Sequence, residues 1–301
     1  MIKRSVKNRT RKTRATNNKT PEIDTIGTSK CHLAPQCPYL EYQVNPNPRY
    51  GYGKPPHKKL YEIIDRNRAA YKHTLESFLA FKQSLLGIAL AAPEESTEPC
   101  WHNIWLSALD SVALYSLLCL NNPKRYFEIG SGYSTKFARK AILANNLRTK
   151  IVSIDPYPRA QIDSICDTVI RKPVEDVDLR VFEELEPGDI LFTDGTHRCS
   201  MNSDVAVIFL DILPRLKAGV LVEFHDIYIP YDYPQWCQDR YYSEQYLLAV
   251  YLLAEGDKFD IILPNTFINN DTGLKSILNP IWDATKAHEM SEGESFWIKT
   301  K

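Results

Sequence analysis

From residue 58 to about 92, apolar residues recur at three- and four-residue steps: Leu60, Ile63, Ile64, Tyr71, Leu75, Phe78, Leu79 and Leu85. That period predicts amphipathic helix. PEESTEP interrupts it. A second apolar stretch, 101–120, predicts another helix, which NNP stops. After Pro123 the rhythm changes. Short apolar runs, RYFEIG, KIVSIDP, DTVIRKP, GDILFTDG and GVLVEFHDI, alternate with helical candidates at 135–145, 160–165, 179–185 and 204–216. A helix over 242–253, a strand FDIILPN and a last strand SFWIKT complete the pattern. No internal repeat appears.

Apolar strands alternating with helices predict a Rossmann-like α/β fold. Its sheet is seven-stranded and mostly parallel, with helices on both faces, and an N-terminal helical extension precedes it. In such a sheet ligands sit beyond the carboxyl ends of the strands, so the residues ending each strand are the ones to inspect. Three segments are expected: a basic tail over 1–30, a Pro/Tyr-rich lead-in with a helical cap over 31–121, and the sheet domain over 122–301.

Charge changes this picture only at the start. The chain has 37 Lys/Arg and 37 Asp/Glu, yet residues 1–20 carry eight bases and no acid. The remainder therefore holds 29 bases against 37 acids. An acidic body argues against nucleic acid as substrate; the tail reads as solvated chain or as an electrostatic contact with nucleic acid or an anionic surface. No apolar run nears the ~18 residues of a membrane span, and the first residues lack the apolar core of a secretory signal. Seven cysteines, an odd number without CxxC pairs, predict a reducing compartment, hence the cytoplasm. The oligomeric state is not legible.

The chemistry begins at YFEIGSGYSTKFARKA, residues 126–141, where an apolar run meets a turn and then a helix. A P-loop needs GxxxxGK[ST], which is absent. A dinucleotide turn needs GxGxxG; Gly130 and Gly132 are present, but Thr135 stands in the third position. Glu128 would repel a pyrophosphate and would suit a cationic ligand. A cationic nucleoside without phosphate points to S-adenosylmethionine.

EIGSGYST resembles motif I, ExGxGxS, of the class I S-adenosylmethionine-dependent methyltransferases. The resemblance extends over roughly 122–301. It is nearest to a bacterial-type group acting on small molecules, through ILFTDGTHRCSMNSDV, FHDIYIPYDYP and RYYSEQYLLAVYLL. It implies that Glu128, Gly130, Ser131, Gly132 and Ser134 line the methionine side, with Tyr133 in the same turn. It implies that Asp155, followed by Pro156, accepts hydrogen bonds from the ribose hydroxyls. It also places Pro173, Val174 and Glu175 at adenine.

Methyl transfer is an in-line displacement at a sulfonium methyl, so alignment supplies much of the rate. A hydroxyl acceptor also needs a base, worth about 10²–10⁴-fold. FTDGTH places Asp194 and His197 at the end of strand four; EFHDIYIP places His225 and Asp226 at the end of strand five. His225, oriented by an acid, is the first candidate base and His197 the second. Asp194 and Asp226 match positions that hold a divalent metal in metal-dependent O-methyltransferases, although His225 and Ile227 flank Asp226 where the family has further oxygen ligands. An imidazole in the set would favour an ion softer than Mg²⁺, or no ion.

The expected activity is methyl transfer to a small molecule, at oxygen. No [ND]PPY follows strand four, which weighs against adenine or glutamine amides. The competing readings are an NAD(P) oxidoreductase, a metal-dependent hydroxylase on the same scaffold, and a non-catalytic S-adenosylmethionine-binding module.

Overall fold

The computed structural model describes residues 46–254 and 258–301. The predicted basic tail, 1–30, and the lead-in to residue 45 lie outside the described residues. Seven strands form one sheet: β1 (Arg125–Ile129), β2 (Lys150–Ile154), β3 (Thr168–Ile170), β4 (Ile190–Thr193), β5 (Leu221–Phe224), β6 (Phe259–Pro264) and β7 (Phe296–Thr300). Their order is β3-β2-β1-β4-β5-β7-β6. β7 inserts antiparallel between β5 and β6; the five strands from β3 to β5 are parallel. The chain reverses direction across the sheet between β1 and β4, and there the carboxyl ends of two central strands open a crevice.

Those central strands are apolar because both faces are covered: all of β4 and β5 is buried. The exceptions are informative. The register places Glu128 of β1 beside Phe192 of β4, and Phe192 beside Glu223 of β5. Two carboxylates thus lie fully buried in one row across the sheet.

Helices α1 (Lys58–Asp65) and α2 (Arg68–Phe78) come from the predicted 58–92 stretch, which breaks at Arg66–Asn67 and again after Phe78. α3 (Ala108–Asn121) is buried almost all round from Ala108 to Leu118 and ends at Asn122 in the left-handed conformation, φ 40°. It packs against α4 (Tyr133–Ala144), the helix that follows β1. Asp110 on α3 is buried and accepts from Ser107 Oγ (2.6 Å), Asn265 Nδ2 (2.7 Å), Glu294 N (2.8 Å) and Ser295 N (2.8 Å). One carboxylate so fastens an N-terminal helix to the segment entering β7, beside the crevice. Residues 46–301 pack as a single unit.

Three predicted helices shrink. Over 160–165 only the turn Asp163–Ile165 forms, and over 179–185 the 3-10 turns Leu179–Glu184. Over 204–216 the helix Asp204–Val207 loosens into a π turn and ends in a 3-10 turn containing Pro214, which lacks the donor a helix would use. α5 (Glu244–Leu253) begins two residues later than the pattern suggested. Between β6 and β7 lie short helices, Asn265–Asn269, Thr272–Lys275 and Asn279–Thr285, that the pattern did not reveal. None exceeds two turns, too short for a periodic signal. No described helix is long and apolar enough to cross a membrane.

Candidate active site

β1 ends in a turn that brings backbone against backbone. Gly130 has φ 80°, and a β-carbon there would lie 1.9 Å from the carbonyl oxygen of Asp194 at the end of β4. Only glycine permits both the conformation and the approach. Beyond it, Gly132 N donates to Thr135 Oγ1 (3.0 Å), and Thr135 Oγ1 in turn donates to Glu128 Oε2. Tyr126 Oη donates to the other oxygen, Glu128 Oε1 (2.9 Å). Thr135 therefore occupies the third-glycine position for a reason: it ties the turn to the buried acid behind it. Burial pushes the Glu128 carboxyl up to about 7, against the hydrogen bonds from Ser134, Thr135 and Tyr126 that favour its charge.

At the end of β2, Asp155 accepts from Ser131 N (2.8 Å) and Tyr157 N (2.7 Å). Ser131 and Ser153 join through their hydroxyls (2.8 Å), and Arg171 binds Ser153 Oγ and the Asp155 carbonyl. The first two strand ends are thereby locked together, and Asp155 lines a cavity of 260 Å³. Of the residues expected at a cofactor, Gly130, Ser131, Gly132, Tyr133, Ser134, Asp155, Pro156 and Val174 line this cavity. Glu128 does not; it lies behind the turn and acts on the wall through Thr135.

Asp194 belongs to the same wall and to a second group. Its Oδ1 is 3.1 Å from His197 Nε2, and the same nitrogen is 3.4 Å from Asp226 Oδ2. His197 Nδ1 meets Glu244 Oε2 at 2.9 Å. The backbone of α5's first turn holds the histidine from the other side, Ser243 N and Glu244 N donating to the His197 carbonyl. The Tyr242 ring covers the imidazole at 4.6 Å. His197 and Asp226 both adopt left-handed backbone, φ 58° and 54°. Non-glycine residues are rare there, and such strain concentrates at functional sites.

His225 is oriented by an acid, but not by its neighbour Asp226. Its Nδ1 lies 3.4 Å from Glu223 Oε1 and 3.3 Å from Ser295 Oγ. Residues two apart on a strand share a face, which places Glu223 beside His225. Glu223 Oε2 is buried with no hydrogen-bond partner among the described residues.

Burial works against a charged imidazole at both histidines and is outweighed. Hydrogen bonds to Asp194 and Glu244 raise the His197 pKa well above its ordinary value; the charge of Asp194 and the bond to Glu223 do so for His225. Asp194 is lowered despite burial, because His225 and His197 favour its charge. Burial raises Asp226 and pushes Glu223 up to about 7. The cluster thus sets two imidazoles among four carboxyl groups, Asp194, Glu223, Asp226 and Glu244. Asp194, His197 and Asp226 each offer one ligand atom, all within 4.8 Å of one another, which suits a cation.

Residues 127–227, spanning the turn, the cavity wall and this cluster, match the family model described as "Methyltransferase domain". That segment is a methyltransferase domain. No curated protein matches the chain. Among solved structures, an O-methyltransferase from Bacillus cereus in complex with SAH is 14% identical, with TM-score 0.38, over 76% of this chain and 90% of that one. An SAH-bound methyltransferase from Podospora anserina is 16% identical, TM-score 0.40, over 80% and 96%. A putative O-methyltransferase from Klebsiella pneumoniae is 14% identical, TM-score 0.37, over 81% and 98%.

Two acids around the histidines, Glu223 and Glu244, were not expected from the sequence. Glu223 had a signal: a charge inside the buried run GVLVEFHDI, two residues before His225. Glu244 had none, since an acid in the first turn of a helix is ordinary.

Proposed function

We propose that the protein is an S-adenosylmethionine-dependent methyltransferase that methylates a hydroxyl of a small molecule. The observation that carries this reading is the double position of Asp194. It walls the cavity bounded by Asp155 and the glycine turn, and it hydrogen-bonds into the His197–Asp226 cluster. A cofactor with its ribose at Asp155 and its methionine along residues 130–134 would direct the sulfonium methyl toward that cluster. The Thr135–Glu128 link, which fills the third-glycine position, supports this cofactor over a dinucleotide.

In the transfer, an acceptor oxygen forms a bond to the methyl carbon as the carbon–sulfur bond breaks, and the electron pair leaves with sulfur as S-adenosylhomocysteine. The hydroxyl proton passes to a base. His225 suits that role: Glu223 and Ser295 hold Nδ1, which leaves Nε2 for the acceptor. An imidazole held protonated must first release its proton, so turnover should rise from neutral to alkaline pH.

A divalent cation fits Asp194, His197 and Asp226, with Glu244 behind His197 Nδ1 as an orienting carboxylate. Two oxygens and one nitrogen favour a borderline ion over Mg²⁺. Such an ion would lower the pKa of a bound hydroxyl. The methyltransferase is read as cytoplasmic, which the free thiols of the described cysteines support.

The test is label transfer from methyl-labelled S-adenosylmethionine to a panel of hydroxylated small molecules, with wild type and His225→Ala. Turnover lost in the variant while S-adenosylhomocysteine still binds supports the reading. Turnover unchanged by the substitution removes His225 as base; label on nitrogen alone removes the oxygen acceptor.

A further inference from the structure

The cavity wall has an uneven charge. Asp155, Glu175, Asp194 and Asp204 line it, and against these four acids Arg159 is the one cation among the lining residues. Arg159 is not placed by an ion pair. Its guanidinium carbon lies 4.6 Å from the centre of the Trp105 ring, and no carboxylate or carbonyl among the described residues accepts a hydrogen bond from it. Trp105 is itself held. Its backbone N–H donates to Asn103 Oδ1 (3.1 Å), as does that of Leu106 (2.7 Å), while Asn103 Nδ2 donates to the Cys100 carbonyl (2.9 Å). The indole of Trp105, on a backbone anchored by Asn103 in the segment before α3, thus lies against a planar cation from the loop after β2, and both line the cavity. The cation–π contact positions the guanidinium and leaves its N–H edge free.

We infer that Arg159 binds the α-carboxylate of the cofactor's methionine moiety. This rests on the cofactor reading above. S-adenosylmethionine carries two positive groups, the sulfonium and the ammonium, which acids in the wall suit, and one negative group, which they repel. A carboxylate matches the two parallel donors of a guanidinium. An acceptor's carboxylate would have the same chemistry; Arg159 lines the same cavity as the glycine turn, and its charge acts on Asp194, whose carbonyl packs against Gly130, which favours the cofactor's. Arg159 and Trp105 would then reject adenosyl compounds that lack the amino-acid tail.

Calorimetric titration separates these cases. Wild type, Arg159→Met and Trp105→Leu are each titrated with S-adenosylhomocysteine and with 5′-methylthioadenosine, which keeps adenosine and sulfur but has no carboxylate. Arg159 is exposed, so its variant should melt like wild type without ligand. The expected result is a loss of about 10- to 100-fold in S-adenosylhomocysteine affinity for Arg159→Met, a smaller loss for Trp105→Leu, and methylthioadenosine affinity unchanged. Equal losses for both ligands would overturn the inference and make Arg159 a support of the loop. Unchanged affinity for both, with KM raised only for an anionic acceptor, would overturn it in favour of the acceptor. If wild type bound neither ligand, the cofactor reading itself would fall, a result distinct from failure in the variant alone.

Discussion

The carbonyl oxygen of Asp194 occupies the space that a side chain on Gly130 would need, 1.9 Å from the position of a β-carbon. The ends of β1 and β4 therefore approach as closely as backbone allows, and Asp194 is placed by contact with the turn. Gly130→Ala should both strain the φ of 80° and push β4 away. The expected cost is about 3 kcal/mol or more, with S-adenosylhomocysteine binding lost beyond what the lower melting temperature explains. Thermal unfolding and calorimetry on the same variant check both parts.

Glu128 gives the fold a pH dependence of definite sign. Its folded pKa is about 7 against an ordinary 4.5, so between these values the folded protein keeps a proton that the unfolded chain has lost. Its contribution is fully present below about pH 4.5 and is lost as pH rises through 7, by roughly 3 kcal/mol for this group. Melting curves from pH 5 to 8 should show this fall in wild type, added to the one of the same sign from Glu223, and Glu128→Gln should remove the Glu128 share.

Glu244 supports His197 from a helix that no sequence pattern connects with it. Both side chains are almost fully buried. Glu244→Ala strips a buried imidazolium of one partner and should cost about 3–5 kcal/mol. Glu244→Gln keeps an acceptor and should cost less. Equal melting temperatures for wild type and the alanine variant would show that the pair carries no stability.

Glu223 should act through His225. Glu223→Gln leaves the ring packed on Phe192 but removes the charge facing Nδ1. Lower kcat with little change in acceptor KM is expected, and Glu223→Asp should recover less than wild-type activity because the shorter side chain reaches Nδ1 poorly. Unaltered kcat in Glu223→Gln would assign the residue to packing alone.

The strands were legible because burial on both faces writes them as continuous apolar runs closed by chemistry-bearing residues: Glu128 and Gly130, Asp155, Asp194, His225 and Asp226. The short helices between β6 and β7 were not, since a helix of four to seven residues spans too few periods. The site followed the same division. Residues at strand ends could be found from topology. Trp105, Arg159 and Glu244 enter from loops and a distant helix, and only the folded chain brings them to the cavity or to His197. The role of Glu128 also needed the structure, for its bond to Thr135 puts it behind the wall.

The most direct measurement is calorimetric binding of S-adenosylhomocysteine, with NADH as comparator, to wild type, Asp155→Ala and Asp155→Asn. S-adenosylhomocysteine alone should bind, and both substitutions should weaken it by about tenfold or more through the lost ribose hydrogen bonds. Absence of S-adenosylhomocysteine binding, or binding of NADH in its place, would contradict the cofactor reading.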